Sequence, residues 1–474
     1  NGSTVNASYT STIITSDIIG VLLDLDNNTL SFSKNGTNLG VAHSNVTSDF
    51  VTPGFGLHGG TTNTINVNFG QKPFKYAPPQ GFLPLNSASA TPETVITHPN
   101  QYFGTTIWTG NGGTGLRTIP ADFKFKPDFV WDKVRTGTDS HILYDSVRGY
   151  GASKALKSNS NVAQGENDNA TYGYVNNTSN GSIEIFGGSS AASDSFTNEN
   201  NQNMVAWCWK AGGNKGNFNV DDVGYENAAD AGFATGGSNI TPTGASVGTK
   251  QGFSIVKWDV GSLNGTLSLD TGLTKAPDFV ITKVTNHADD WLTFHKDLSS
   301  TESLIFNGTR GATSNAAYAH TFNSNGTISG LVVPNWWIAN KSYVFYSWHD
   351  VPGLQKFGKF IGNASADGNF IELGFRPALV WIKPLYDYNG GSSIIAQTGW
   401  YIYDNKRETF NPNGKVLAAN REYVEEDNST DVDFLSNGFK LRNTRAVNTS
   451  SGAIYCAWAE APTFNLYGGQ SNAR

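Results

Sequence analysis

Between residues 17 and 42, polar and apolar positions are laid out as a three-strand meander. Asp17-Ile-Ile-Gly-Val-Leu-Leu-Asp-Leu-Asp26 is an apolar strand, and Asn27-Asn28 is expected to turn the chain back. Thr29-Leu-Ser-Phe-Ser-Lys34 then alternates with the period of two that a half-buried strand requires. Asn35-Gly36 is a strong hairpin signal, because both positions tolerate positive φ, and residues 37–41 close the meander.

Beyond a linker rich in Pro, Ser and Ala (Pro78-Pro79, Asn86-Ser-Ala-Ser-Ala-Thr-Pro92) the pattern repeats three times. One block reads Phe125-Lys-Pro-Asp-Phe-Val-Trp-Asp-Lys133, Lys275-Ala-Pro-Asp-Phe-Val-Ile-Thr-Lys283 and Phe375-Arg-Pro-Ala-Leu-Val-Trp-Ile-Lys383, with Pro and Lys six residues apart each time. A second follows as His141-Ile-Leu-Tyr-Asp145, Trp291-Leu-Thr-Phe-His295 and Trp400-Tyr-Ile-Tyr-Asp404. Its aromatic lies eleven residues past the Lys in two copies and twenty in the third, implying a loop insertion around 386–398. A third block closes each unit: Met204-Val-Ala-Trp-Cys-Trp209, Tyr343-Val-Phe-Tyr-Ser-Trp348 and Ala453-Ile-Tyr-Cys-Ala-Trp458. A Pro that starts a strand, followed by β-branched and aromatic residues, is strand chemistry. The expected class is therefore all-β, with a partial sandwich at the N-terminus (1–85), a linker (86–100), and three tandem jelly-roll or β-sandwich repeats. These span 101–213, 251–353 and 354–474, with a second linker at 214–250.

Composition supports that class. Only 15% of residues are charged, against about 25% in an ordinary soluble domain. Asn, Ser, Thr and 53 Gly fill the difference. The net charge of -7 and the absence of a basic stripe argue against nucleic-acid binding. No apolar run approaches the ~18 residues of a membrane span, and no signal peptide is present. Residue 1 is Asn and Met204 is the single Met, so the chain is read as processed or incomplete. Cys208 and Cys456 read as two small buried strand residues; their repeat alignment puts them on opposite strand faces, which argues against a disulfide. Asn-x-Ser/Thr triplets such as Asn6-Ala-Ser8 and Asn325-Gly-Thr327 are what chance gives in so Asn-rich a chain.

Ile18-Ile-Gly-Val-Leu-Leu-Asp-Leu-Asp26, Leu30-Ser-Phe-Ser-Lys-Asn-Gly36, Phe50-Val-Thr-Pro-Gly54 and Val67-Asn-Phe-Gly70 together resemble the C-terminal half of a SPRY domain, a bent β-sandwich used in recognition. The missing half would leave a sheet edge and a core face uncovered, to be completed by upstream sequence or a partner. This half-domain followed by the three repeats resembles uncharacterised structural proteins of tailed phages of marine and cyanobacterial hosts. That resemblance implies a virion-surface or extracellular protein without catalytic residues: a tail fibre, receptor-binding or capsid-surface component. It would assemble with other virion proteins, and it could contact a host polysaccharide or receptor. A fibre is expected to be a homo-oligomer, although no coiled-coil heptads support one. A bacterial adhesin, a capsid decoration protein and a glycan-cleaving tailspike are the rivals.

The residues themselves carry no enzyme signature: no nucleophile elbow, phosphate loop, zinc-protease helix or paired Cys-x-x-Cys occurs. Asp145 and Asp404 share a repeat position that His295 fills in the second copy, and a position that changes chemistry reads as surface rather than catalytic. No cofactor is expected. Glu425-Glu-Asp-Asn-Ser-Thr-Asp431-Val-Asp433 could hold calcium, but it lacks the regular loop spacing and its Gly, and reads as a solvated loop. Asn219-Val-Asp-Asp222 reads the same way, and the Asp24/Asp26 pair as a solvated strand face. Trp336 and Trp337 are private to the second copy, facing Thr197/Asn198 and Ala446/Val447 in the others. They are the candidate contact residues, for a neighbouring domain or subunit or for a sugar ring.

Overall fold

The computed structural model describes residues 9, 11–46, 53–54, 64–85, 94–166, 169–233, 240, 242–261, 265–315, 319–333, 337–386, 398–463 and 472. The Asn6-Ala-Ser8 triplet, part of the 50–54 segment, most of the first linker, most of the 386–398 insertion and Trp336 lie outside them. The described residues are all-β, with single turns of 3-10 helix at Pro99–Gln101 and Ala446–Asn448. No helix among them is long and apolar enough to cross a membrane. The chain divides into two compact units, Asn1–Thr91 and Pro92–Arg474.

In the first unit Ile19–Asp24, Thr29–Lys34 and Thr37–Ser44 form the expected antiparallel meander. Asn35 and Gly36 both take positive φ, 50° and 86°, as the tight hairpin requires. The preceding turn is longer than the two residues expected. Asp24 ends its strand early because its carboxylate accepts the Asn27 backbone and side-chain N–H groups, at 2.9 and 2.8 Å. Leu22 is the one buried hydrophobic of the described part of this unit, whereas Val21, Leu25 and Val41 are more than half exposed.

In the second unit each copy places five strands in one order. The first copy supplies an opening strand Phe103–Thr109, a middle strand Phe129–Val134, an aromatic strand Ile142–Asp145, an outer strand Leu156–Lys157 and a closing strand Asn203–Trp209. Spatially they run opening, closing, middle, aromatic, outer, all antiparallel. The second copy repeats this with Phe253–Val260, Lys341–Trp348, Phe279–Val284, Leu292–His295 and Glu302–Ile305. The third does so with Gln355–Phe360, Ala453–Pro462, Phe375–Pro384, Tyr401–Asp404 and Asn413–Ala418. A second layer of three strands covers each: Leu116–Pro120, Ser182–Phe186 and Tyr174–Ser179 form a separate sheet in the first copy, a matching trio does so in the second, and in the third the trio continues the main sheet through Asn413–Ala418.

Alternation along these strands sorts side chains between two cores. In the middle strand of the first copy, Val130 and Val134 enter the sandwich interior with Ile183 and Ile185 of the covering sheet. Phe129 and Trp131 point the other way, into a cluster built from all three copies. Val280 against Phe279 and Ile281, and Val380 against Leu379 and Trp381, repeat the division. The main sheets are thus buried on both faces, which explains middle strands whose every residue is buried, Lys included. Cys208 lies in a sandwich interior and Cys456 in the shared cluster; both are free thiols.

One expectation needs correction. Residues 214–250, read as a linker, contain Phe218–Val220, Val223–Tyr225 and Gly244–Gly248, which extend the second copy's sheet. Asp221 and Asp222, at φ 49° and 66°, form an exposed tight hairpin turn between two of these strands. Asn219 is buried there, accepting the Lys215 N–H.

Because one aromatic cluster serves three sheets, the second unit is expected to unfold as a whole. Trp209→Ala should destabilise it by about 3–5 kcal/mol and shift one calorimetric transition for residues 92–474. A separate transition for the second or third copy that stays in place would contradict this.

Candidate functional site

The repeats converge on three tryptophans that end their closing strands. Trp209, Trp348 and Trp458 meet in a triangle with ring centroids 6.4, 6.1 and 5.5 Å apart and interplanar angles of 66°, 73° and 75°. Edge-to-face contact of this kind is what the aromatic quadrupole favours. Phe253 stacks on Trp348 at 4.6 Å, Phe103 lies 5.1 Å from Trp209, and Trp381 sits 4.9 Å from Trp458. The three copies are therefore arranged around an approximate threefold axis.

Around that axis, the aligned position two residues earlier reaches the neighbouring copy. Tyr346 Oη–H donates to Asp145 Oδ2 at 2.7 Å, from the second copy to the first. Trp207 Nε1–H donates to Asp404 Oδ2 at 3.0 Å, from the first to the third. Each carboxylate is prepared alike by an Asp-x-x-Arg turn. Asp145 Oδ1 accepts the Val147 and Arg148 N–H groups at 3.0 and 2.8 Å, and Asp404 Oδ1 those of Lys406 and Arg407 at 3.0 and 2.8 Å. Arg148 Nε completes the first pair at 2.6 Å, and Arg407 Nε binds Asp404 in the same way. Burial works against the Arg148 charge, but Asp145 and Tyr346 outweigh it and hold the guanidinium protonated. Burial also drives the Tyr346 phenol well above its ordinary value.

At the third seam, between the second and third copies, the aligned positions hold no carboxylate–arginine pair. His295 occupies the Asp position and Leu298 the Arg position. His295 Nδ1 accepts the Asp297 N–H at 3.1 Å, in place of the carboxylate oxygen. Cys456 stands where Tyr346 and Trp207 stand elsewhere, and the ring faces the Tyr455 backbone. Burial lowers the His295 pKa to about 3, so the imidazole is neutral.

Further polar contacts follow the same circular order. Lys283 Nζ donates to the Asn161 carbonyl of the first copy at 3.2 Å, and Lys383 Nζ to Thr309 of the second at 3.1 Å. Lys133 caps carbonyls of its own copy. Burial lowers Lys133 and Lys283 to about 8. Arg135 grips Glu425 of the third copy with both arms, at 3.0 and 2.7 Å, and Arg407 joins at 2.9 Å. Burial would raise Glu425, but Arg407 and Arg135 hold its carboxyl below the ordinary value. A shared clamp also fixes each aromatic strand: Asn159, Asn307 and Asn420 Oδ1 accept the N–H groups of His141, Trp291 and Trp400 at 3.0, 2.9 and 3.0 Å.

These contacts correct several expectations. Asp145, His295 and Asp404 are fully buried at seams, not on the surface, because the aromatic strands end against neighbouring copies. Trp337 is 2% exposed and packs against Trp258, Tyr343 and Phe345, inside the second sandwich, so its ring is closed to sugar or partner. Its companion Trp336 lies outside the described residues. The acidic segment runs into the strand Glu426–Leu435, and Asp431 is buried on Tyr403, Asn443 and Arg445 instead of lying in a solvated loop. Among the described residues no three His, Cys, Asp or Glu side chains converge as a metal site. The Asp-x-x-Arg spacing in copies one and three, and the three asparagines, were the signals that could have revealed the seams.

The model of a domain of unknown function, DUF7483, matches residues 98–462. The chain belongs to the DUF7483 family. Its DUF7483 region therefore holds all three copies and the axis between them. A SPRY domain precedes it, matching residues 2–72. The chain is also 41% identical over 86 residues to the ATP-dependent RNA helicase Ddx1 of Drosophila melanogaster, and 38% identical over 73 residues to DDX1 of Xenopus laevis. Those matches cover 18% and 15% of this chain and about a tenth of the helicases, 11% and 10%. No solved structure matches.

Two measurements check the seams. Asp404→Ala breaks the buried Asp404–Arg407 pair and unpairs the Trp207 indole N–H, and should cost about 3–5 kcal/mol in urea denaturation, whereas Tyr346→Phe should cost about 1–2 kcal/mol. His295 binds a proton below pH 6.5 when unfolded but only near pH 3 when folded. Acid therefore favours the unfolded chain through this group, and its contribution falls as pH drops from 6.5 toward 3. Between pH 6.5 and pH 4.5 the wild type should lose about 2–3 kcal/mol more stability than His295→Gln, at about 1.4 kcal/mol per pH unit.

Proposed function

We propose that this chain is a non-catalytic structural protein displayed on the outside of a virion, most like a tail-fibre or receptor-binding component that contacts a host surface glycan or protein. One observation carries the reading. The ionisable residues that recur in the repeats are buried, most of them in contacts between copies and the rest on groups of their own copy. Asp145, Asp404, His295, Lys133, Lys283 and Lys383 all lie buried against partners or backbone carbonyls at the seams or strand ends. Such a unit presents a rigid body whose exposed loops are free to differ, the usual division between scaffold and recognition surface. The SPRY segment adds a second module of a fold used for recognition.

A capsid decoration protein or a bacterial surface adhesin would use the same architecture. A glycan-cleaving tailspike would need two carboxylates facing each other across an open cleft, and the recurring pair is instead closed off by arginine.

Antibodies against the chain should label the exterior of intact particles from a culture that encodes it, and the purified chain should release no reducing ends from host polysaccharide. Labelling of the bacterial envelope alone would move the assignment to an adhesin. Sugar release would overturn the non-catalytic reading.

A further inference from the structure

The three copies differ at the outer edge of the opening strand. In the second copy that edge is occupied: Gly244–Gly248 pairs antiparallel with the opening strand, from Gly244 opposite Lys257 to Gly248 opposite Phe253. Ala245 and Val247 pack with Val256 on the sandwich side, and Ser246 lies opposite Ile255. In the first copy the opening strand Phe103–Thr109 is the last of its sheet. The bonds from Gly110 N–H to the Gln202 carbonyl and from Lys210 N–H to the Tyr102 carbonyl set the pairing phase. Residues 104, 106 and 108 then bond to the closing strand, and the Thr105 and Ile107 backbone groups point outward. No partner among the described residues meets those groups.

Three features mark this edge as a strand acceptor. Ile107 is 43% and Leu116 59% exposed, at positions where the covered second copy has Lys257 and Thr266. Uncovered edges are ordinarily guarded by charge, proline or a bulge; here the Arg117 guanidinium covers only one end, donating to the outward Thr109 carbonyl at 3.0 Å, and the middle carries the aliphatic Ile107. Thr105 corresponds to Ile255, and its hydroxyl is buried without a hydrogen-bond partner although the residue is only 6% exposed. A strand laid down as Gly244–Gly248 lies on the second copy would set its serine beside that hydroxyl, a favourable cross-strand pair. The third copy has the aliphatic and aromatic equivalents, Ile361 and Phe370, 62% and 44% exposed. Its edge is largely used, however: Gln355 N–H donates to the Val351 carbonyl, Phe357 N–H to Asp350 Oδ1 at 2.7 Å, and Asn369 Nδ2 to the Ile361 carbonyl at 2.6 Å.

We propose that the opening strand of the first copy binds an extended segment of another polypeptide by antiparallel strand addition. The segment is short and uncharged, with small apolar residues flanking a serine that sits opposite Thr105. The binding surface is distinct from the exposed loops invoked for host recognition.

The test uses the full chain and a labelled, end-capped peptide with the sequence of residues 242–249, which contains the strand that performs this role internally. Saturable binding by fluorescence anisotropy is expected, with slowed hydrogen exchange of the Thr105 and Ile107 amides. Ile107→Pro removes an outward N–H that the fold does not use, and edge strands tolerate proline; it should weaken binding at least tenfold with the calorimetric transition retained. If that variant fails to fold, Ile107→Lys places a charge on the same edge and should weaken binding similarly. Ile361→Pro should leave binding unchanged. Absence of saturable binding together with unchanged exchange at Thr105 and Ile107 overturns the proposal. So does a dimer of the chain itself that Ile107→Pro or Ile107→Lys abolishes, because the occupant is then a second copy.

Discussion

The second unit depends on one constraint: each main sheet must bury both of its faces. A sandwich needs only its inner face covered, and here the outer face is equally apolar. Phe129, Phe279 and Leu379, with the closing tryptophans, are covered by one another and by further apolar residues of all three copies. A single copy taken alone would expose that whole face. The threefold arrangement, the edge-to-face tryptophans and the continuous burial of the middle strands all follow from this.

Burying the outer faces brings polar strand ends into the interior, and the seams show two solutions. At two of them a carboxylate is paired with arginine and also accepts a bond from the neighbouring copy, so its oxygens are satisfied on both sides. At the third, a neutral imidazole, a leucine and a thiol replace the ionic set. Buried ion pairs add little net stability over apolar replacements, while breaking one is costly. The neutral seam is thus no weaker in principle; the ionic seams are stricter about register, since a displaced neighbour would leave arginine and carboxylate unsatisfied.

The repeats and their strand blocks were legible because spacing survives divergence: Pro, Lys and the closing Trp keep their places although neighbours change. The same patterning put Cys208 and Cys456 on opposite faces, as found. What could not be read was burial created by a neighbouring copy. Asp145, Asp404 and His295 look like variable surface positions until the partner strand is placed beside them. Trp337 looked available because it was private to one copy, yet it fills space inside that copy's sandwich. The 214–250 stretch hid three strands among Gly, Asn and Asp, residues that signal turns and that here supply the tight hairpin at Asp221-Asp222. The three-strand meander of the SPRY region was readable because Asn-Gly and alternation are local signals.

Joining the three sandwiches in one polypeptide has a consequence for how such a molecule evolves. In a true trimer of identical chains, one substitution alters every contact at once, so a buried acid cannot be exchanged for histidine at a single contact. Here each contact has its own codons. His295, Leu298 and Cys456 show that freedom in use: one of three junctions lacks the Asp–Arg pair that the other two share.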